Sequence, residues 1–148
     1  MLRIEQFNEL KSMEQVVAKE ALIDFLHTHL DRFRDEKSAI DKCLDYAFSS
    51  ESGKGGFVLL AFQDSELVGA LVMNNTGMAE FIPEYILVYI AVNAAKRGMG
   101  IGKALIEKSF SATDGNIALH VEYDNPAKRL YERLGFSSKY AEMRWQRS

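Results

Sequence analysis

Arg97-Gly98-Met99-Gly100-Ile101-Gly102-Lys103 is a basic, glycine-rich turn between the most apolar run of the chain and a segment of helical periodicity. Glycine lets the backbone take φ > 0 and lets a ligand come close to the chain. The first amides of a following helix have no intrahelical partner and point outward. The helix dipole adds partial positive charge there, and Arg97 and Lys103 add whole charges, so a diphosphate is the natural guest.

Upstream, Tyr85-Ile86-Leu87-Val88-Tyr89-Ile90-Ala91-Val92 is almost wholly apolar, as a central strand covered on both faces requires. Phe57 to Gln63 and Glu66 to Asn74 are apolar, β-rich runs joined by Asp64-Ser65, which predicts a hairpin. The chain opens with an alternating strand, residues 1–7. Leu22, Phe25, Leu26, Leu30 and Phe33 then predict an amphipathic helix from about 13 to 30. Ile40, Cys43, Leu44, Ala47 and Phe48 form the stripe of a second helix, with Cys43 read as core. Downstream of the turn, Ala104, Leu105, Ile106 and Phe110 continue a helix to about 112, and Ile117, Leu119 and Val121 alternate as a strand. Pro126 suits a first helical turn, capped by Asp124 or Asn125. Leu130, Tyr131 and Leu134 line that helix, Gly135 ends it, and Phe136 to Trp145 reads as a last strand. The order β-α-α-β-β-β-α-β-α-β is that of a single α/β domain over residues 1–148, with a mixed sheet.

The 148 residues suffice for a core without staples, and a 47% apolar, 26% charged composition is that of ordinary globular proteins. A net charge of −3 makes no general case for nucleic acid or anionic membrane. The single cysteine excludes an internal disulfide framework and a cysteine-based zinc site. No run approaches the ~18 apolar residues of a membrane span, and the first residues lack a signal peptide's apolar region. The expectation is a cytoplasmic protein.

Other phosphate loops fit the turn poorly. A P-loop using Lys103 would need glycine at 97 and Ser or Thr at 104, where Arg97 and Ala104 stand. A dinucleotide fingerprint from Gly98 would need glycine at 103. The pattern present is Arg-x-x-Gly-x-Gly (Arg97, Gly100, Gly102) directly after Ile90-Ala91-Val92. In this the sequence resembles the GCN5-related N-acetyltransferases (GNAT). A second block, Asn125-Pro126-Ala127-Lys128-Arg129-Leu130-Tyr131-Glu132-Arg133-Leu134-Gly135-Phe136, is similar to that family's later turn, helix and strand entry, and both blocks stand in the family's order. Two departures stand out. Ala94 replaces a proline often found before the turn, and the turn asparagine, counted back from Tyr131, falls on Asp124 with Asn125 one place late.

The resemblance implies a GNAT-like fold with a mainly antiparallel central sheet flanked by helices. It implies acetyl-CoA as co-substrate, without metal. Residues 97 to 103 (Arg97, Gly98, Met99, Gly100, Ile101, Gly102 and Lys103) would hold the pyrophosphate, with Asn125 nearby. The backbone near Ile90, Ala91 and Val92 would pair with the pantetheine arm. Tyr131 takes the place of the family's general acid. An alkylammonium of pKa near ~10 must lose a proton before attack. His120, opposite Ile117, Leu119 and Val121 on its strand, is one candidate base, and Glu84, entering the central strand, is another through a water chain. His27 and His29 read as structural or surface residues.

The expected reaction is acetyl transfer from the thioester to a primary amine within a ternary complex. The acceptor, a small-molecule amine or a peptide or protein amine, would lie near residues 25 to 36 and 76 to 85. Asp31, Asp35, Glu36, Glu80 and Glu84 there suit a cation. Neither nucleic acid nor membrane is expected as a partner, and a homodimer stays open. The alternatives are a CoA-binding regulatory or interaction module without catalysis and, more distantly, a nucleotide-binding protein.

Overall fold

The computed structural model describes all of residues 1–148. Five strands form one sheet in sequential order: β1 (Leu2–Phe7), β2 (Gly56–Gln63), β3 (Glu66–Asn75), β4 (Tyr85–Val92) and β5 (Ile117–Leu119). The first four are antiparallel neighbours, and β5 joins β4 in parallel. The β2–β3 hairpin turns at Asp64-Ser65, with Asp64 at φ 57, a left-handed conformation that Asp tolerates better than most residues.

Both faces of the sheet are covered, so side chains alternating along a strand enter two different cores. Val58, Leu60 and Val72 pack with Leu22, Leu26, Ile40 and Leu44 of helices α2 (Lys19–His29) and α3 (Lys37–Ala47). Leu59, Leu71 and Met73 pack on the other face with Leu105 and Ile106 of α4 (Ile101–Ser111) and Tyr131 of α5 (Ala127–Arg133). Gly69 fixes the height of α4. A β-carbon there would lie 3.0 Å from both Ile101 Cγ2 and Leu105 Cδ1, so the first turn of α4 rests on β3. This seats the glycine turn at the C-terminal end of β4.

The structure departs from the sequence expectation at three places, one of them the strand expected through Val121, which ends at Leu119 and leaves His120 beyond it. The helix expected from about 13 to 30 is broken: a single turn, α1 (Leu10–Met13), is followed by turns and α2 begins at Lys19. The β-branched pair Val16-Val17 disfavours continuation, and Met13 is fully buried as the plug between the two pieces. The expected last strand, Phe136 to Trp145, is not formed. The Phe136 amide bonds back to the Tyr131 carbonyl at 3.0 Å, and no backbone hydrogen bond follows. β5 is only three residues long and offers too short an edge to template a ladder, so Tyr140, Met143 and Trp145 are exposed. No helix is long and apolar enough to cross a membrane.

Candidate functional site

The site is built where β4 ends. β4 carries a bulge: Val72 pairs with Tyr89 and Met73 with Leu87, leaving Val88 over. A bulge bends its strand and breaks the ladder locally. β5 accompanies β4 only from Tyr85 to Leu87 and then leaves. Beyond Leu87 the strand, including Ile90, Ala91 and Val92, keeps β3 on one side and has no strand on the side that β5 has left. On that side its main chain borders the gap left where β5 ends its pairing.

Next comes a single 3-10 turn, Ala94–Lys96, capped by Asn93, whose Oδ1 accepts from the Ala95 amide at 2.9 Å. Gly98 and Gly100 follow at φ 80 and φ 82. Gly100 is the N-cap of α4; it supplies no side-chain cap, and no acidic residue stands in the first turn. The backbone amides of residues 98–103 donate to no protein acceptor, since the next amide bond is Ala104 N–H to the Gly100 carbonyl at 3.0 Å. Lys103 is exposed and unpaired, and Met99 is exposed beside it. A run of free amides at a helix N-terminus, with a free lysine and no competing carboxylate, fits a pyrophosphate. Ile101 faces the core, and Gly102 packs under α5, with Leu130 Cδ2 at 3.4 Å from where its β-carbon would be.

Arg97 turns its guanidinium to the main chain. Its Nε donates to the Val92 carbonyl at 3.3 Å and a terminal nitrogen donates to the His29 carbonyl at 2.6 Å. Its charge is spent on the end of β4 and the C-terminal end of α2, where carbonyls lack helical partners and the dipole is negative. It fastens the turn and does not project into it.

His29, read from the sequence as a structural or surface residue, completes that fastening. Its Nδ1 accepts from the Ala94 amide at 3.1 Å, and its ring packs against Phe25 with centroids 4.6 Å apart. Burial, and then the Arg97 charge, hold its pKa below the ordinary histidine value. The neutral ring is the native form, so unfolding takes up a proton between the two pKa values. The stabilisation is complete above about pH 6.5 and is lost as pH falls through the lower folded value. Unfolding free energies measured across this range are expected to fall toward acid. His29→Asn, which keeps an acceptor oxygen and cannot titrate, is expected to flatten that slope; an unchanged slope would remove the fastening from the pH response.

On the α5 side, Asn125 Oδ1 accepts from the Ala127 amide at 2.9 Å, so Asn125 is the cap and its amide nitrogen is left unbonded. Asp124 instead meets Arg32 at 2.9 Å, which lowers its pKa. Tyr131 is buried, packs edge-on against Phe136 with centroids 6.0 Å apart, and its hydroxyl has no protein partner. Burial pushes it up to about 12. His120 is exposed just after β5 with no side-chain hydrogen bond. Both oxygens of Glu84 are occupied: Oε1 accepts from the Asn116 amide at 2.7 Å and Oε2 from the Glu80 amide at 3.1 Å. Those bonds, the Asn116 one foremost, lower its pKa. Glu84 thus braces two loops. Cys43 is half-buried with its thiol pushed up to about 11 by burial, as a packing residue would be.

Sequence and structure comparisons agree with this architecture. Residues 54–138 match the acetyltransferase (GNAT) domain family. The chain is 30% identical over 125 residues to the 5-NmdU N-acetyltransferase of Pseudomonas phage PaMx11, covering 82% of this chain and 87% of the relative. Among solved structures, a ribosomal-protein-alanine N-acetyltransferase from Brucella melitensis biovar Abortus 2308 aligns with TM-score 0.65 at 16% identity, covering 99% of both chains. An aminoglycoside acetyltransferase from an uncultured soil metagenomic sample aligns with TM-score 0.64 at 22% identity, covering 100% of this chain and 99% of the other.

Proposed function

The chain belongs to the GNAT acetyltransferase family and is an N-acetyltransferase, and from that premise we propose that it moves an acetyl group from acetyl-CoA to a primary amine by direct transfer in a ternary complex. The observation that carries the proposal is the run of unbonded amides from 98 to 103 beside the unaccompanied edge of β4. The amides of Gly98, Met99, Gly100, Ile101, Gly102 and Lys103, with the Lys103 ammonium, take the pyrophosphate. The β4 main chain at Ile90, Ala91 and Val92 takes the amide groups of the pantetheine arm, much as another strand would. The free amide nitrogen of Asn125 donates from the opposite wall.

The chemistry needs a proton removed from the attacking ammonium and a donor for the departing thiolate. Tyr131 is the donor in this scheme, with the support that its hydroxyl is protonated at neutral pH and promised to no other acceptor. His120 is the favoured base among the side chains, because Glu84 has both oxygens engaged and His120 is free. The acceptor approaches from the α2–α3 layer and the 76–84 loop, where Asp31, Asp35, Glu36 and Glu80 give a negative rim.

The testing experiment is release of free CoA thiol from acetyl-CoA across a panel of amines. The panel contains a diamine, an aminoglycoside, a peptide with an N-terminal alanine and 5-NmdU, the last three suggested by the relatives' substrates. Amine-dependent release supports the assignment. Tight CoA binding with no release for any amine would favour a binding module instead.

A further inference from the structure

The glycine turn is held at its ends and not along its length. Downstream, Ile101 and Leu105 rest on Gly69, and Gly102 lies under Leu130. Upstream, the Asn93 amide donates to the Val68 carbonyl at 2.8 Å, and Lys96 N–H closes the 3-10 turn on the Asn93 carbonyl at 2.8 Å. In between, the amides of residues 98–103 have no protein acceptor, and no protein atom lies within 4 Å of a β-carbon placed on Gly98 or Gly100. The direction in which the free amides point is therefore set by how the 3-10 turn Ala94–Lys96 is oriented.

That orientation depends on a residue from outside the strand, turn and helix. His29 ends α2 and meets the two ends of the 3-10 turn at once. Its Nδ1 accepts from the Ala94 amide at 3.1 Å, and its carbonyl accepts from an Arg97 terminal nitrogen at 2.6 Å. Two contacts at opposite ends fix a direction as well as a place. Phe25, one turn back on α2, holds the imidazole with centroids 4.6 Å apart. The ring contact is conditional on a proton. Nδ1 accepts only while it carries none; a protonated ring has donors at both nitrogens and would set an N–H against the Ala94 N–H, with a second cation beside the Arg97 guanidinium. Of the charged groups on the surrounding elements, Arg97 is the one that acts on the ring. Asp24 on α2 is paired with Lys37, and Arg32 on the 3-10 turn Asp31–Phe33 is paired with Asp124. Neither His27, Asp31 nor Lys96 influences it, and no carboxylate bonds it to favour the charged form.

We propose that His29 is a positioning residue for the donor substrate, its ring and carbonyl holding the Ala94–Arg97 segment so that the amides of residues 98–103 are set for the pyrophosphate before it arrives; this rests on the transferase assignment above. A turn ordered in advance lowers the cost of binding. Loss of the ring contact therefore weakens the donor and spares the chemistry: the acetyl-CoA KM rises and kcat at saturation does not. Acid acts as removal of the ring does, because the protonated imidazole cannot accept from Ala94.

The test is calorimetric titration with CoA, and acetyl-CoA kinetics alongside it, for the wild type, His29→Asn and His29→Ala between about pH 5 and 7.5. Asn Oδ1 stands where the histidine Nδ1 stood and accepts without titrating. At the upper pH, His29→Ala is expected to weaken CoA by about fivefold, the worth of one hydrogen bond, with kcat at saturating acetyl-CoA within about twofold of wild type. His29→Asn is expected to bind within about twofold of wild type there. Toward acid the wild type should lose about fivefold more affinity than His29→Asn, whose remaining response is that of the phosphates of CoA itself. Denaturant unfolding checks that the variants are folded, and the Asn comparison decides the matter if His29→Ala is not. Equal CoA affinity in folded His29→Ala and wild type, or an acid response in His29→Asn as steep as that of the wild type, would overturn the positioning role and leave the transferase intact. A wild type that binds no CoA across the range would overturn both.

Discussion

Gly100→Val is expected to lower affinity for CoA by about a hundredfold or more while the domain stays folded. Gly100 sits at φ 82 as the N-cap of α4, a conformation that costs a non-glycine residue about 1–2 kcal/mol and a β-branched one most. No protein atom lies within 4 Å of where its β-carbon would be, so the folded chain suffers this backbone strain and no clash. The same open space is the approach to the free amides of residues 98–103. Two lost hydrogen bonds to a charged phosphate, at about 1.5–3 kcal/mol each, already reach the expected factor. Calorimetric titration with CoA measures it, and denaturant unfolding checks the fold. Gly102→Ala is the control. Gly102 lies inside α4, where its new methyl would meet Leu130 Cδ2 at 3.4 Å and Val92 Cγ2 at 3.8 Å, close to ordinary contact. Binding within a few-fold of wild type is expected there. Undiminished affinity in Gly100→Val would remove the cradle from the phosphate site.

The contrast between those two glycines shows how much the sequence could reveal. The strand–turn–helix order around residue 97 was legible, because an apolar run, a glycine turn and a helical stripe are each local signals. The hairpin at Asp64-Ser65 was legible for the same reason. The bulge at Val88 was not: it exists only as a mismatch of register between β3 and β4, and nothing in the apolar run marks one residue as extra. Tyr89 was hidden with it, since a tyrosine in such a run reads as core until its hydroxyl is found on Asp35. Arg97 shows what local pattern leaves out: charge beside a glycine turn suggests a ligand contact and says nothing of the two main-chain carbonyls, 5 and 68 residues away, that its guanidinium meets. His29 belongs to the same fastening and lies 65 residues from its partner Ala94, a separation no spacing rule covers. The absent strand beyond Phe136 has the same origin: alternation describes what a segment can do, and the partner edge decides whether it does.

Tyr131→Phe is expected to reduce kcat by about a hundredfold, near the lower end for a general acid, with the Kd for CoA changed by no more than a few-fold. The lower end is chosen from the environment of the hydroxyl. Burial pushes Tyr131 up to about 12, above an ordinary thiol's pKa of ~8.5, so complete proton transfer to a thiolate runs uphill. Its main contribution is then a hydrogen bond to charge developing on sulfur, and full transfer follows only if reprotonation is coupled to it. The substitution keeps the ring, its edge-on contact with Phe136 at 6.0 Å and its place among Leu130 and Leu134. It also breaks no hydrogen bond within the protein, so unfolding stability is expected to stay within about 0.5 kcal/mol of wild type. A tyrosine that only filled the core would leave kcat untouched under the same substitution. The combination of intact stability, intact CoA binding and a large loss of turnover belongs to a hydroxyl that acts on the reacting atoms.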